Sequence, residues 1–102
     1  MIKHINGKNT PEESLALMRV LADNTRQEIM MLLAHSNKEL CANDIANNFI
    51  LTRPTVSHHL NLMKRLGVLN SRKDGKEIYY SLNKPYVISL LKSIIKVLED
   101  IK

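Results

Sequence analysis

The sequence predicts a small, mainly α-helical domain with one β-hairpin, in the element order α-α-α-α-β-β-α. Three observations predict it. Five segments begin at capping residues and carry apolar side chains on helical faces. After Gly67 the hydrophobic period drops from 3.6 to 2, and the pair Asp74-Gly75 interrupts the alternating run. The chain has 102 residues, 44% of them apolar and 25% charged, which supplies one core and not two.

The same numbers exclude several classes. No apolar run is long enough to span a bilayer. Residues 1–7 contain no apolar signal core, so the expected location is cytoplasmic, without membrane contact. Cys41 is the single cysteine, which rules out an internal disulfide framework and fits a reducing compartment. There is no glycine-rich phosphate loop, no paired acid beside a histidine and no activated nucleophile pattern, so no enzyme is expected.

In chain order, residues 1–9 are polar and unpatterned and read as a flexible arm; residues 10–102 form the domain. Thr10-Pro11-Glu12-Glu13 is a helix start, with Thr10 as cap, Pro11 in the first position and Glu13 completing a capping box. The helix to about Ala22 is apolar nearly all round, at Leu15, Leu17, Met18, Val20 and Leu21. Such a helix is expected to pack on its own core and on another copy. Asp23-Asn24-Thr25 caps a second helix from Arg26 to about His35, buried through Ile29, Met30, Leu32 and Leu33. After a loop, a short helix runs from about Ala42 to Asn48, with Cys41 near its cap and Ile45, Ala46 and Phe49 facing inward.

The next helix is the centre of the chain. Thr52 caps it, Pro54 falls in its first turn, and Gly67 supplies the left-handed residue that ends it. Val56, Leu60, Met63 and Leu66 form its buried stripe. Its other side carries Arg53, Thr55, Ser57, His58, His59, Asn61 and Lys64. Small hydrogen-bonding groups and cations on an exposed helix face are what a DNA major groove accepts. Taken alone, a solvated amphipathic helix explains that face equally well. Its neighbours tip the balance. Residues 53–76 hold Arg53, Lys64, Arg65, Arg72, Lys73 and Lys76 against Asp74 alone, so the chain's whole net charge of +5 sits in them. A localised basic footprint favours a polyanion partner over a protein surface.

Two short helices joined by a tight turn, the second basic outside, make a helix-turn-helix. The strands 68–73 and 76–82 then read as a wing, with Ile78, Tyr80 and Leu82 on one face and Arg72, Lys73 and Lys76 at the tip, within reach of flanking phosphates. The last helix starts at Asn83 with Pro85 in its first turn. Val87, Leu91, Ile94, Leu98 and Ile101 recur as a two-heptad seam, widened by Ile88 and Ile95. With Leu17 and Leu21 this seam is the expected homodimer interface, although part of it can fold back on its own core.

These motifs together resemble one family. Leu21-Ala22-Asp23-Asn24-Thr25-Arg26, Glu39-Leu40-Cys41-Ala42-Asn43-Asp44-Ile45-Ala46, Pro54-Thr55-Val56-Ser57-His58-His59-Leu60, Gly67-Val68-Leu69 and Gly75-Lys76-Glu77-Ile78-Tyr79-Tyr80-Ser81-Leu82 look like the ArsR/SmtB winged-helix repressors. The resemblance covers about residues 12–100. It implies a homodimer joined through the first and last helices. It also implies a double-stranded palindromic operator read by the fourth helix, and repression relieved by an inducer that the sequence does not name.

The chain departs from that family's metal sites. Cys41 matches the first cysteine of the metalloid motif, but Asn43 stands where the second belongs. The last helix has no histidine, and its acids Glu99 and Asp100 are adjacent, not on one face. A lone thiolate cannot enclose a thiophilic ion. No metal and no cofactor is therefore expected, with Cys41 as the one weak candidate ligand; His4 and His35 are isolated in sequence. Three readings stand: a DNA-binding repressor without metal, a sensor using other ligands or the Cys41 thiol, and a protein-binding winged helix.

Overall fold

The computed structural model describes residues 9–101. Its elements are α1 (Pro11–Leu21), α2 (Asn24–His35), β1 (Leu40–Cys41), α3 (Ala42–Ala46), α4 (Arg53–Arg65), β2 (Leu69–Asp74), β3 (Glu77–Leu82) and α5 (Lys84–Asp100). This is a winged helix-turn-helix: mainly helical, with α3 and α4 as the helix-turn-helix and the β2–β3 hairpin as the wing. Of the arm expected over residues 1–9, residues 1–8 lie outside the described ones. Asn9 is not loose: it is buried, and its Nδ2 donates to Ser89 Oγ at 2.9 Å and Ser93 Oγ at 2.8 Å.

The helix ends follow from local chemistry. Thr10 Oγ1 accepts from the Glu13 N–H and Glu13 Oε1 accepts from the Thr10 N–H, both at 3.2 Å, closing the capping box. Asp23 Oδ1 accepts from the Arg26 N–H at 3.0 Å, so α2 begins two residues earlier than expected. At the end of α4, Gly67 takes φ +83°; its N–H donates to Lys64 O and the Val68 N–H donates to Met63 O. That pair of bonds satisfies the last carbonyls of α4 and turns the chain into the wing.

Among the described residues the sheet has three strands, not two. β1 pairs antiparallel with β3 (Leu40 opposite Tyr80, Cys41 opposite Tyr79), giving the order β1-β3-β2. The hairpin register sets Asp74 opposite Glu77, so its two-residue turn is Gly75-Lys76, one position later than expected. Gly75 takes φ +63°, as such a turn requires.

Leu17 and Val20 of α1, Ile29 of α2, Ile45 of α3, and Val56, Leu60 and Met63 of α4 are fully buried. Burial of each such side chain contributes about 1.5–3 kcal/mol. α5 joins them through Val87, Leu90 and Ser93. This corrects the expected seam in two ways. Leu17 and Val87, assigned to a dimer interface, lie in the protomer's own core, with Leu21 and Ile94 packed partly against it. The apolar stripe left exposed on α5 is Ile88, Leu91, Ile95 and Leu98, with Ile101 beyond the helix end as its C-cap. A 17-residue helix with apolar residues at every third or fourth position carries two adjacent stripes, and the one-dimensional pattern merged them.

Candidate nucleic-acid interface

α4 is held in place by its inner face and its first turn. Val56, Leu60 and Met63 fix its inner face in the core. Thr52 Oγ1 accepts from the Thr55 N–H at 3.4 Å and bonds Thr55 Oγ1 at 2.9 Å. Arg53 Nη1 donates to Asn43 Oδ1 at 2.6 Å, which ties the first turn of α4 to α3. Asn43 thus belongs to the helix-turn-helix surface, although nothing in its local sequence marks it.

Arg53, Thr55, His58, Asn61 and Lys64 are exposed along α4, and Ser57 is half-buried beside them. Arg53, Ser57 and Asn61 line a groove of about 180 Å³ whose other wall is Ala42, Lys76, Ile78 and Tyr80. The groove places Lys76, at the wing's turn, across from Arg53, Ser57 and Asn61 of α4. Lys73 is opposite Ile78 in the hairpin and so shares the face turned toward that groove. Burial raises the Tyr80 hydroxyl pKa above its ordinary value, and the nearby Arg53 charge opposes that shift.

Two residues expected in this set are placed elsewhere. His59 is half-buried, its Nδ1 has no hydrogen-bond partner, and it faces Asp23 and Arg26 at the start of α2. Burial lowers its pKa; Asp23 raises it, and Arg26 and His58 lower it further. Arg72 is opposite Tyr79, on the other face of the hairpin from Lys73. Its Nε donates to Glu39 Oε1 at 3.0 Å and its Nη1 lies 3.5 Å from Asp74 Oδ2. The Glu39 hydrogen bond and charge raise its pKa further.

Cys41 is buried at the N-cap of α3, where its Sγ donates to Asp44 Oδ2 at 3.2 Å and its N–H to the same oxygen. Those two bonds hold the Asp44 carboxyl below its usual pKa. Among the described residues no three His, Cys, Asp or Glu side chains come together as a metal ion requires. His35 is exposed, with Nδ1 2.8 Å from Met31 O, and His4 lies outside the described residues. Among the described residues no helix is long and apolar enough to cross a membrane.

Residues 23–71 match the model of the family described as "Bacterial regulatory protein, arsR family". The chain is 38% identical over 93 residues to the cadmium resistance transcriptional regulatory protein CadC of Listeria innocua, covering 91% of this chain and 76% of that one. It is 39% identical over 67 residues to the transcriptional repressor SdpR of Bacillus subtilis, covering 66% of this chain and 72% of that one. The fold superposes on the homodimeric winged helix-turn-helix DNA-binding domain of Mb0332 from Mycobacterium bovis with a TM-score of 0.68, at 22% identity, covering 89% of this chain and 83% of that one.

Proposed function

Because the chain belongs to the arsR family of bacterial regulatory proteins and is a DNA-binding transcriptional regulator, we propose that it represses transcription in the cytoplasm by binding a palindromic operator as a homodimer. Each protomer lays α4 in a major groove. Thr55, Ser57, His58 and Asn61 read base edges, while Arg53, Lys64, Lys73 and Lys76 meet phosphates. The observation that carries this reading is the groove between α4 and the wing. It holds the hydrogen-bonding Ser57 and Asn61 on one wall and the Lys76 cation on the other, which supports base contact from α4 and phosphate contact from the wing. The second copy covers the apolar stripe of α5 with the exposed Leu15 and Met18 of α1.

The test begins with selection from a random pool of duplex DNA. A sequence with two-fold symmetry is expected, and its binding should weaken steeply with salt. Asn61→Ala should cost on the order of 1–3 kcal/mol on that operator and little on scrambled DNA. Binding that ignores both salt and sequence would end the proposal.

A metal-responsive reading of the same fold draws its support from the cadmium-resistance relative. It needs Cys41, whose thiol has a carboxylate partner and no second thiol in the chain. We expect operator affinity to be the same with or without zinc or cadmium, in wild type and in Cys41→Ser. Release at equimolar metal, abolished by Cys41→Ser, would establish the sensor instead.

A further inference from the structure

The wing is attached to the rest of the fold through little backbone. β1 offers β3 only two residue pairs, and the six-residue strands of the hairpin run on past them. Two register positions decide which cations serve DNA. Ser71, Lys73, Ile78 and Tyr80 share the face that looks toward α4, because opposed residues in an antiparallel pair project to the same side. Arg72 and Tyr79 therefore project to the back.

On that back face Arg72 reaches across the whole sheet. It starts on β2, one edge. Its guanidinium lies over the Tyr79 ring of β3, with Cζ 5.2 Å from the centroid. It ends on Glu39, directly before β1 at the other edge. Asp74 stands on its other side. One cation between two carboxylates presents no excess positive charge to a phosphate.

We propose that Arg72 is a positioning residue: an Arg72–Tyr79–Glu39 strap that pins the wing to the segment entering β1 and α3, leaving phosphate contact to Lys73 and Lys76. The strap rests on the DNA-binding reading above. It acts by fixing the distance between the wing tip and α4. A planar guanidinium that stacks and donates sideways serves this, and an ammonium does not.

The experiment measures affinity for the selected operator and for a scrambled duplex across a salt series. The proteins are wild type, Arg72→Ala, Arg72→Lys, Glu39→Gln, the Arg72→Ala/Glu39→Gln double variant, and Lys76→Ala. Arg72→Ala, Arg72→Lys and Glu39→Gln should each weaken operator binding by a similar factor, roughly three-fold, as for an exposed ion pair. The log–log salt slope should stay that of wild type, and the double variant should be no worse than either single one. Lys76→Ala should lower the slope by about one. A slope lowered by about one in Arg72→Ala, with tighter binding by Glu39→Gln, would make Arg72 a phosphate contact and Glu39 its competitor. Full affinity in all strap variants would likewise overturn the proposal. Wild type that binds neither duplex at any salt would overturn the DNA reading and the strap's role with it.

Discussion

His58 and His59 are sequence neighbours with ring centroids 5.9 Å apart, yet one is exposed and the other half-buried. Helical geometry turns consecutive residues by about 100°, so one exposed histidine hands the next one to the flank of the core. His58 stays exposed beside Thr55 and Asn61. His59 turns toward Asp23 and Arg26, which no pattern in α4 reveals because the start of α2 arrives there through tertiary packing. Burial sets the folded-state pKa of His59 below its ordinary value of 6.5. The folded state thus favours neutral His59, and its contribution to stability is complete above that value and is lost as pH falls below it. Glu13, Asp23 and Asp44 have lowered pKa values and titrate well below this window. The urea midpoint should therefore fall between about pH 7.5 and pH 5.5, and His59→Gln should reduce that fall; an unchanged pH profile in the variant would remove His59 from the account.

Elements whose ends are written in short-range chemistry were legible from the sequence: the capping box of Thr10 and Glu13, Thr52 before α4, Gly67 after it. β1 was not, since two residues have no period and their partners, Tyr79 and Tyr80, lie far along the chain. The wing's alternation was legible, but assigning Arg72 to the back face needed the register. Gly67 shows how one element end constrains two helices. A Cβ there would stand 3.1 Å from Tyr86 Cε2, in a backbone conformation that L side chains avoid. The Tyr86 ring cannot swing aside freely, because its hydroxyl donates to Glu13 Oε2 at 2.7 Å and links α5 to α1. Burial, reinforced by that bond, pushes the Tyr86 pKa up to about 12. Gly67→Ala should cost about 1–2 kcal/mol from backbone strain plus the crowding at Tyr86. Gly75→Ala, with φ +63° but nothing within 4 Å, should cost less. Thermal melts of the two variants check the order, and equal losses would mean that the Tyr86 contact relaxes without cost.

At the scale of the whole molecule, α5 carries one apolar stripe buried in the core and a second left exposed. Val87 and Leu90 are 5% and 1% exposed and complete the protomer, whereas Ile95 and Leu98 are 54% and 65% exposed. Leu98→Asp should leave the protomer folded while shifting sedimentation toward a single chain and weakening operator binding. Leu90→Asp should unfold it, since a charge at that site has no buried partner. A dimer that survives Leu98→Asp unchanged would move the interface elsewhere. The same division runs through α4. Val56, Leu60 and Met63 hold the helix, Thr52 and Gly67 set its ends, and none of them faces the groove where Arg53, Ser57 and Asn61 stand. The exposed face of α4 is thus free to vary while the buried one holds the helix. On the DNA-binding reading proposed above, the exposed Thr55, His58 and Asn61 can change to suit a different operator at little cost to the fold.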